Sequence, residues 1–220
     1  MAQHIHTYAG QAITVTFDGA RCIHAGECVR NLRAVFDRSR RRWLEVDNAP
    51  SADVASVVML CPSGALHYED GDVAPELVPA QNTITIVANG PLYARGNISL
   101  KDSAGNLILR DTRVALCRCG KSANKPFCDE AHKAAQFNAP GLPNEHRPAP
   151  TVPGVYAEEL TITIEPGGPY RVLGKVTLYG PNDQLLMQTD NLLLCRCGNS
   201  DDKPYCDSTH NFIPFSDTSV

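Results

Sequence analysis

Thr83-Ile84-Thr85-Ile86 returns 78 residues later as Thr161-Ile162-Thr163-Ile164. The same shift superposes residues 75–137 on 153–215 without an insertion or a deletion. Further matches, each given with its copy, are Gly90-Pro91 and Gly168-Pro169, Gly96 and Gly174, and Leu107 and Leu185. Because turn glycines and strand residues recur together, the chain contains a duplicated structural unit, and each copy should adopt one fold.

Each copy has the pattern of a small antiparallel sheet. Residues 83–87 alternate with period two, and 98–100 and 107–109 are short β-prone runs that a Gly105-Asn106 turn divides. The next run, 114–116, leads into a group of cysteines, and Asp129 beyond it is a candidate N-cap for a short helix. The cysteines of each copy are therefore expected between a strand and a helix.

Residues 1–74 have no counterpart in the repeat. We expect a strand at 12–17, a short helix at 28–36 and a second helix at 52–60 with Ser51 as its N-cap. These elements suggest a separate domain of ferredoxin size.

The whole chain is expected to be α+β and mostly β. We expect three domains, at 1–74, 75–145 and 146–220. The segment 138–152 carries four prolines and should form an extended, semi-rigid linker between the two copies.

Composition excludes several classes of function. The formal net charge of the 220 residues is −4, whereas a protein that binds nucleic acid usually has a basic excess. The longest apolar stretch, 54–66, is interrupted by Ser56 and Pro62 and is shorter than the roughly 20 residues of a membrane helix. Residues 1–6 have neither a basic nor an apolar region, so we expect no secretory signal and a cytoplasmic protein.

Nine cysteines are many for a reducing compartment, where thiols more often bind metal than form disulfides. They fall into three groups, Cys22, Cys28 and Cys61, then Cys117, Cys119 and Cys128, then Cys195, Cys197 and Cys206. The grouping leaves no thiol over and indicates three metal sites.

A histidine follows each of the two repeated groups. Residues 117–132 read CRCGKSANKPFCDEAH and residues 195–210 read CRCGNSDDKPYCDSTH. The shared pattern C-x-C-x2-S-x3-P-x-C-D-x-x-H resembles the CDGSH iron–sulfur family, also called NEET proteins. The resemblance covers both repeats, and it departs from the family motif at Glu130-Ala131 and Ser208-Thr209, where that motif has Gly-Ser.

The resemblance implies a ligand set and an architecture. In the family, three cysteines and one histidine hold a [2Fe-2S] cluster, so the implied ligands are Cys117, Cys119, Cys128 and His132, then Cys195, Cys197, Cys206 and His210. Family members are homodimers with a swapped β-cap. The two copies here should therefore pair about a pseudo-twofold axis inside one monomer, with residues 83–87 serving the sheet of the other copy.

Structural zinc is the alternative for these two sites, because three cysteines and one histidine are a common zinc ligand set. The spacing favours iron, since zinc sites usually pair thiols as C-x2-C or wider. A histidine in place of a fourth thiolate also eases electron uptake and adds a ligand that can be protonated.

The first group of cysteines has a different pattern. Cys22-Ile23-His24-Ala25-Gly26-Glu27-Cys28, followed by Cys61-Pro62, resembles single-cluster bacterial ferredoxins. Ala25 occupies the middle ligand position, so three thiolates are left, a number that suits a [3Fe-4S] cluster. A [4Fe-4S] cluster with His24 or water on its fourth iron is the alternative, and three unrelated buried cysteines are the other.

No Ser-His-Asp arrangement, phosphate-binding loop or dinucleotide fingerprint is found in the sequence. We therefore expect a protein that is not an enzyme and that carries electrons to or from a redox partner protein. Two alternatives stay open. One is a cluster donor to an apo-acceptor, or a redox or pH sensor, and the other is a zinc-binding interaction module.

Overall fold

A computed structural model describes residues 5–69, 75–144, 149 and 158–215. The chain divides into a first unit, Met1–Val78, and a second unit, Pro79–Val220, and both copies of the repeat belong to the second. Of the linker predicted at 138–152, only residues 138–144 and Ala149 lie within the described part of the chain.

The first unit contains a three-stranded antiparallel sheet and two short helices. Its elements are β1 (Ile5–Ala9), β2 (Thr14–Asp18), α1 (Glu27–Asn31), α2 (Ser51–Val58) and β3 (Leu66–Glu69), with 3-10 turns at Gly19–Arg21 and Val46–Asn48. Strand β2 lies in the centre and pairs with β1 and β3. Val54 and Val58 of helix α2 pack in a core that also contains Val15. Burial of each such side chain stabilises the fold by about 1.5–3 kcal/mol.

Both helices of this unit have different bounds in the structure from those predicted from the sequence. Helix α1 stops at Asn31 because Leu32 leaves helical geometry at φ −149°, whereas the sequence suggested a helix to residue 36. Phe36 instead forms a β-bridge with Leu44, and both side chains are fully buried. Helix α2 begins at Ser51, so Ser51 is not its N-cap.

The second unit is mostly β. Its elements are β4 (Thr83–Ile86), β5 (Leu92–Asp102), β6 (Leu107–Leu116), α3 (Ala131–Ala134), β7 (Leu160–Ile164), β8 (Tyr170–Tyr179) and β9 (Leu185–Leu194), with 3-10 turns at Pro181–Asp183 and Thr209–Phe212. The short runs predicted at 98–100, 107–109 and 114–116 are parts of the longer strands β5 and β6. None of the helices in the described part of the chain has the length and apolar character needed to cross a bilayer.

The two copies exchange strands. Strand β4 pairs antiparallel with β5 of its own copy and parallel with β8 of the other, and β7 pairs antiparallel with β8 and parallel with β5. Thr83 lies opposite Thr177, and the pair related by the 78-residue shift, Ser99 and Thr161, is also in register. The pairing of residues 83–87 with the other copy, expected from the sequence, is present over Thr83–Thr85.

Asn82 forms hydrogen bonds with both copies at the bulge of β5. Its Oδ1 accepts from the backbone of Asn97 at 2.9 Å, and its Nδ2 donates to the carbonyl of Lys175 at 3.0 Å. A Cβ atom at Gly96 would lie 2.2 Å from that Oδ1, so only glycine fits at the bulge.

One hydrophobic core serves both copies. It includes Ile84, Ile98 and Leu116 from the first copy and Ile162 and Val172 from the second, all almost fully buried. Since the strands of each copy complete this core with strands of the other, the two repeats form one structural unit.

Candidate metal centres

The structure places the predicted ligands in three groups. We call these site 1 (Cys117, Cys119, Cys128 and His132), site 2 (Cys195, Cys197, Cys206 and His210) and site 3 (Cys22, Cys28 and Cys61). Sites 1 and 2 follow the last strand of each copy in the second unit, and site 3 belongs to the first unit.

Strand β6 positions site 1. The backbone N–H of Cys117 donates to the carbonyl of Pro126 at 2.8 Å, and the N–H of Cys128 donates to the carbonyl of Ala115 at 2.9 Å. These bonds fold residues 117–128 into a closed loop. The first and the third cysteine of the site are thereby held on neighbouring extended segments.

The candidate ligands of site 1 form two pairs. The sulfurs of Cys117 and Cys119 are 3.8 Å apart, and Cys128 Sγ is 3.6 Å from His132 Nδ1. Two ligands of one tetrahedral metal, each about 2.3 Å from it, lie about 3.8 Å apart. Each pair therefore has the separation required of two ligands on one metal ion.

Site 2 repeats the arrangement. The sulfurs of Cys195 and Cys197 are 3.7 Å apart, and Cys206 Sγ is 3.4 Å from His210 Nδ1. The N–H of Cys195 donates to the carbonyl of Pro204 at 2.8 Å, matching the closure of site 1. Among the described residues, no three His, Cys, Asp or Glu side chains are placed to hold a single metal ion.

Side chains inside each loop hold its shape. Ser122 Oγ donates to the carbonyl of Phe127 at 2.7 Å, and Asp129 accepts from the backbone N–H groups of Ala123 and Ala131 at 2.8 and 3.0 Å. Helix α3 thus begins at Ala131, and Asp129 binds its first N–H while Glu130 occupies the cap position. Such contacts organise the ligand loops.

The departures from the family motif keep the backbone shape. Glu130 and Ser208 adopt left-handed conformations with φ of 69° and 70°, a region that favours glycine. Their N–H groups donate to the sulfurs of Cys128 and Cys206, both at 3.4 Å. Replacing the motif glycine therefore removes neither a ligand nor an N–H···S contact.

Thiol pKa values follow from burial and pairing. The hydrogen bond between the sulfurs of Cys117 and Cys119 lowers the pKa of Cys117 to about 6 and raises that of Cys119. In site 2 the same bond raises the pKa of Cys195 and lowers that of Cys197 to about 6. Each C-x-C pair therefore shares one proton and gives up the other near neutral pH, a step that metal binding requires.

Burial shifts the remaining site 1 ligands toward their neutral forms. It raises the pKa of Cys128 to about 11 and, together with Lys133, lowers the pKa of His132. A neutral imidazole is the form that binds metal.

The loops of sites 1 and 2 touch each other. A Cβ atom at Gly120 would lie 2.3 Å from the carbonyl oxygen of Cys197, and one at Gly198 would lie 2.4 Å from that of Cys119. Both glycines have positive φ, 73° and 81°. Glycine at these positions therefore allows the two sites to lie side by side.

A buried arginine lies between the cysteines of each C-x-C pair. Arg118 and Arg196 are each 1% exposed and donate to backbone carbonyls, among them those of Gly90 and Gly168. Burial lowers the pKa of Arg118 to about 10, and the sulfurs of Cys195 and Cys119 oppose that shift. Each C-x-C pair thus has a buried positive charge that interacts electrostatically with sulfurs of both sites.

Sequence reasoning missed Tyr170. Its hydroxyl group, fully buried, shares its proton between the carbonyls of Cys117 and Pro126 at 2.9 and 3.0 Å. Tyr170 belongs to the second copy, and its counterpart in the first is Leu92, so neither the motif nor the repeat could have signalled it. Lys125 donates to the carbonyl of Ser122 at 2.7 Å and stiffens the loop.

Site 3 lines a cavity of about 470 Å³. Cys22 follows a 3-10 turn, Cys28 lies in α1 and Cys61 follows α2, and all three line the cavity together with His24 and Ala25. Burial, reinforced by Cys61 and then Cys22, raises the pKa of Cys28 to about 11. The three thiols therefore line one common cavity.

Three segments of the chain match known families. Residues 89–133 and 167–211 match the iron-binding zinc finger of CDGSH type, and residues 8–71 match the divergent 4Fe-4S mono-cluster family. The uncharacterized protein YjdI of Escherichia coli K12 is 43% identical over 61 residues, which are 28% of this chain and 80% of that protein, and YjdI of E. coli O157:H7 matches to the same extent. No solved structure matches the chain.

Proposed function

Since the chain belongs to the iron-binding CDGSH family through two tandem segments and carries an N-terminal divergent 4Fe-4S domain, we propose that it is an electron carrier with three iron–sulfur clusters. Sites 1 and 2 each take a [2Fe-2S] cluster, and site 3 takes a cluster held by three cysteines. The protein is not an enzyme in this proposal, and it exchanges electrons with a redox partner protein.

The pairing of ligands carries the proposal. In both repeats, two sulfurs at 3.7–3.8 Å and a sulfur–imidazole pair at 3.4–3.6 Å supply two ligands to each of two irons. A bound [2Fe-2S] cluster supplies a one-electron couple. The chain contributes N–H donors to Cys119 and Cys197, both at 3.5 Å, which stabilise negative charge on the sulfurs and raise the potential.

The type of cluster at site 3 follows from ligand count. Three cysteines suit a [3Fe-4S] cluster, and the description of the matched family favours [4Fe-4S] as the alternative. In the alternative, the fourth iron takes His24 or water. EPR distinguishes the two, because only an oxidised [3Fe-4S] cluster is paramagnetic as isolated.

The second unit works as an intramolecular pseudo-dimer, and the protein as a monomer. The register pairs Thr83–Thr177 and Ser99–Thr161, related by the 78-residue shift, support a pseudo-twofold relation with strand-swapped caps. The first unit provides the ferredoxin-like module.

Cluster donation is the second candidate function. His132 and His210 are partly exposed, whereas Cys117 and Cys195 are each 1% exposed. Protons thus reach the imidazole side of each site first, where protonation of the histidine would break its bond to the metal and free the cluster for transfer to an apo-acceptor. Zinc binding by the same cysteines and histidines is the third candidate.

Anaerobic purification followed by iron, sulfide, zinc and EPR analysis tests the proposal. We expect about seven irons and eight sulfides per chain, a visible absorption spectrum and reversible one-electron reduction. Zinc as the main metal would overturn the proposal. Rapid transfer of clusters to an apo-ferredoxin, without electron exchange, would favour the donor function instead.

A further inference from the structure

We propose that sites 1 and 2 differ in potential, so that site 1 is reduced first and an electron placed on site 2 passes to site 1. The proposal rests on the proposed function, since it assumes a [2Fe-2S] cluster in each site. Clusters bound at the two sites would exchange one electron, so that the loss of one electron at site 2 would balance the gain of one at site 1. An external one-electron donor supplies the electron, and no proton is required.

Matched positions of the two loops differ in charge. The three differences, each given as site 1 and then site 2, are Lys121 and Asn199, Ala123 and Asp201, and Asn124 and Asp202. At every one of them site 1 is the more positive by one charge. A cluster becomes more negative when it accepts an electron, so all three differences favour reduction of site 1.

The other charged positions of the loops cancel. Site 1 has a Glu130–Lys133 ion pair where site 2 has the neutral Ser208 and Asn211. The remaining charges, Arg118, Lys125 and Asp129, have identical residues at their counterparts in site 2.

Asp202 contributes the strongest of the three differences because it is buried. Asp202 is only 5% exposed, and its Oδ1 has no hydrogen-bond partner among the described residues. Its backbone N–H donates to Ser200 Oγ at 3.0 Å, and its carbonyl accepts from Tyr205 at 2.9 Å, which fixes it within the loop of site 2. A buried charge is screened much less than an exposed one.

The charge differences at the two exposed positions have a weaker effect on the potentials. Lys121 is exposed, although its backbone N–H donates to Cys119 Sγ at 3.5 Å, and Asp201 is exposed as well. Salt screens such charges, so their share of the difference in potential should fall as ionic strength rises. The share from Asp202 should persist.

A hydroxyl dipole adds to the same asymmetry. Tyr170 donates to the carbonyl of Cys117 in site 1, and the corresponding side chain for site 2 is Leu92, which has no hydroxyl. Contact between the loops at Gly120 and Gly198 places the two sites side by side, which suits electron transfer between them.

A redox titration of the intact, cluster-loaded protein tests the order. Dithionite is the reductant, and EPR separates the reduced [2Fe-2S] signals from the signal of site 3. We expect two one-electron steps in which site 1 is favoured by about tenfold or more, which corresponds to about 59 mV for a one-electron couple. A single step shared by both sites would overturn the proposal.

Variants assign the steps. Asp202→Asn gives site 2 the residue of site 1 and should raise only the potential of the lower-potential step, which belongs to site 2. The reciprocal Asn124→Asp should lower only the potential of the higher-potential step, which belongs to site 1. Lys121→Asn, at an exposed position, should lower the upper step at low salt. A shift of the upper step by Asp202→Asn would reverse the assignment and overturn the proposal.

The outcomes for the two proposals differ. Iron and sulfide are measured for every variant, so that a shift is compared only between proteins with the same cluster content. Wild-type protein with full clusters and equal potentials would contradict the order but leave the electron carrier intact. Wild-type protein without [2Fe-2S] clusters would contradict both.

Discussion

The Tyr170 hydroxyl group, carried by a strand of the second repeat, donates to the carbonyl oxygen of Cys117, a candidate ligand of the first repeat, over 2.9 Å. The bond ties the geometry of site 1 to the folding of the other copy. Burial raises the pKa of Tyr170, so the group keeps its proton and its role as donor.

Tyr170→Phe should destabilise the second unit. The change leaves the carbonyls of Cys117 and Pro126 without this donor, at a cost of about 1–3 kcal/mol. Chemical denaturation measures the loss, and site 1 should lose its metal before site 2. Tyr179→Phe, at the opposite end of β8, is the control. Equal stability of the Tyr170 variant and the control would show that the bond contributes nothing.

Replacing the histidines with cysteine should lower the potential of one site at a time. His132→Cys adds a negative thiolate to site 1 and His210→Cys adds one to site 2, and extra negative charge disfavours reduction. Loss of the protonatable imidazole should also slow acid-induced bleaching of the visible absorption. Redox titration and bleaching at pH 5 measure both effects. Unchanged potential and unchanged bleaching in both variants would exclude these histidines as ligands.

Gly120→Ala should disturb both repeat sites at once. The new Cβ would meet the carbonyl oxygen of Cys197 at 2.3 Å, in addition to the strain of positive φ. Gly105→Ala is the matched control, because Gly105 also has positive φ but has nothing within 4 Å of a Cβ. The control should cost only about 1–2 kcal/mol of backbone strain. Thermal unfolding and iron content measure the difference, and similar behaviour of the two variants would argue against close contact between the loops.

Ala25→Cys should change the cluster of site 3. Ala25 lines the same cavity as the three cysteines. It stands where the ferredoxin pattern has its middle cysteine. A fourth thiolate should convert a [3Fe-4S] cluster into [4Fe-4S] and remove the EPR signal of the oxidised protein. Ala25→Ser, which adds a hydroxyl group of similar size, is the control. Persistence of the oxidised signal in the cysteine variant would indicate that residue 25 lies too far from the cluster.

The sequence predicts the sites better than the sheet. The 78-residue repeat picks out the four candidate ligands of site 1, because the spacing from Cys117 to His132 is local and recurs without a gap. The partner of β4 in the other copy follows from the family's swapped cap. The register that places Thr83 opposite Thr177 does not follow from the sequence, because it is defined only when two distant chain segments meet.

Some elements give no local signal. Strand β1 was not predicted, because four of its five residues are exposed and its pattern is not amphipathic. Helix α1 was predicted too long, since the apolar residues Val35 and Phe36 fill the core from a turn and a β-bridge instead of a helix face. Tertiary contacts decide both cases, and they are not encoded in a window of neighbouring residues.

Sharing β4 and β7 between the copies makes the protein vulnerable while it is being synthesised. A ribosome adds residues at about 5–20 per second. Since 94 residues separate Thr83 from Thr177 and 62 separate Ser99 from Thr161, the strands of the first repeat wait roughly 3–19 s for their partners in the second. During this interval the nascent first repeat presents strand edges of the kind that pair with other chains. The first repeat of a neighbouring nascent chain on the same messenger offers a competing partner. Translation speed between the two repeats thus helps to decide whether the product is a single folded chain or an entangled pair.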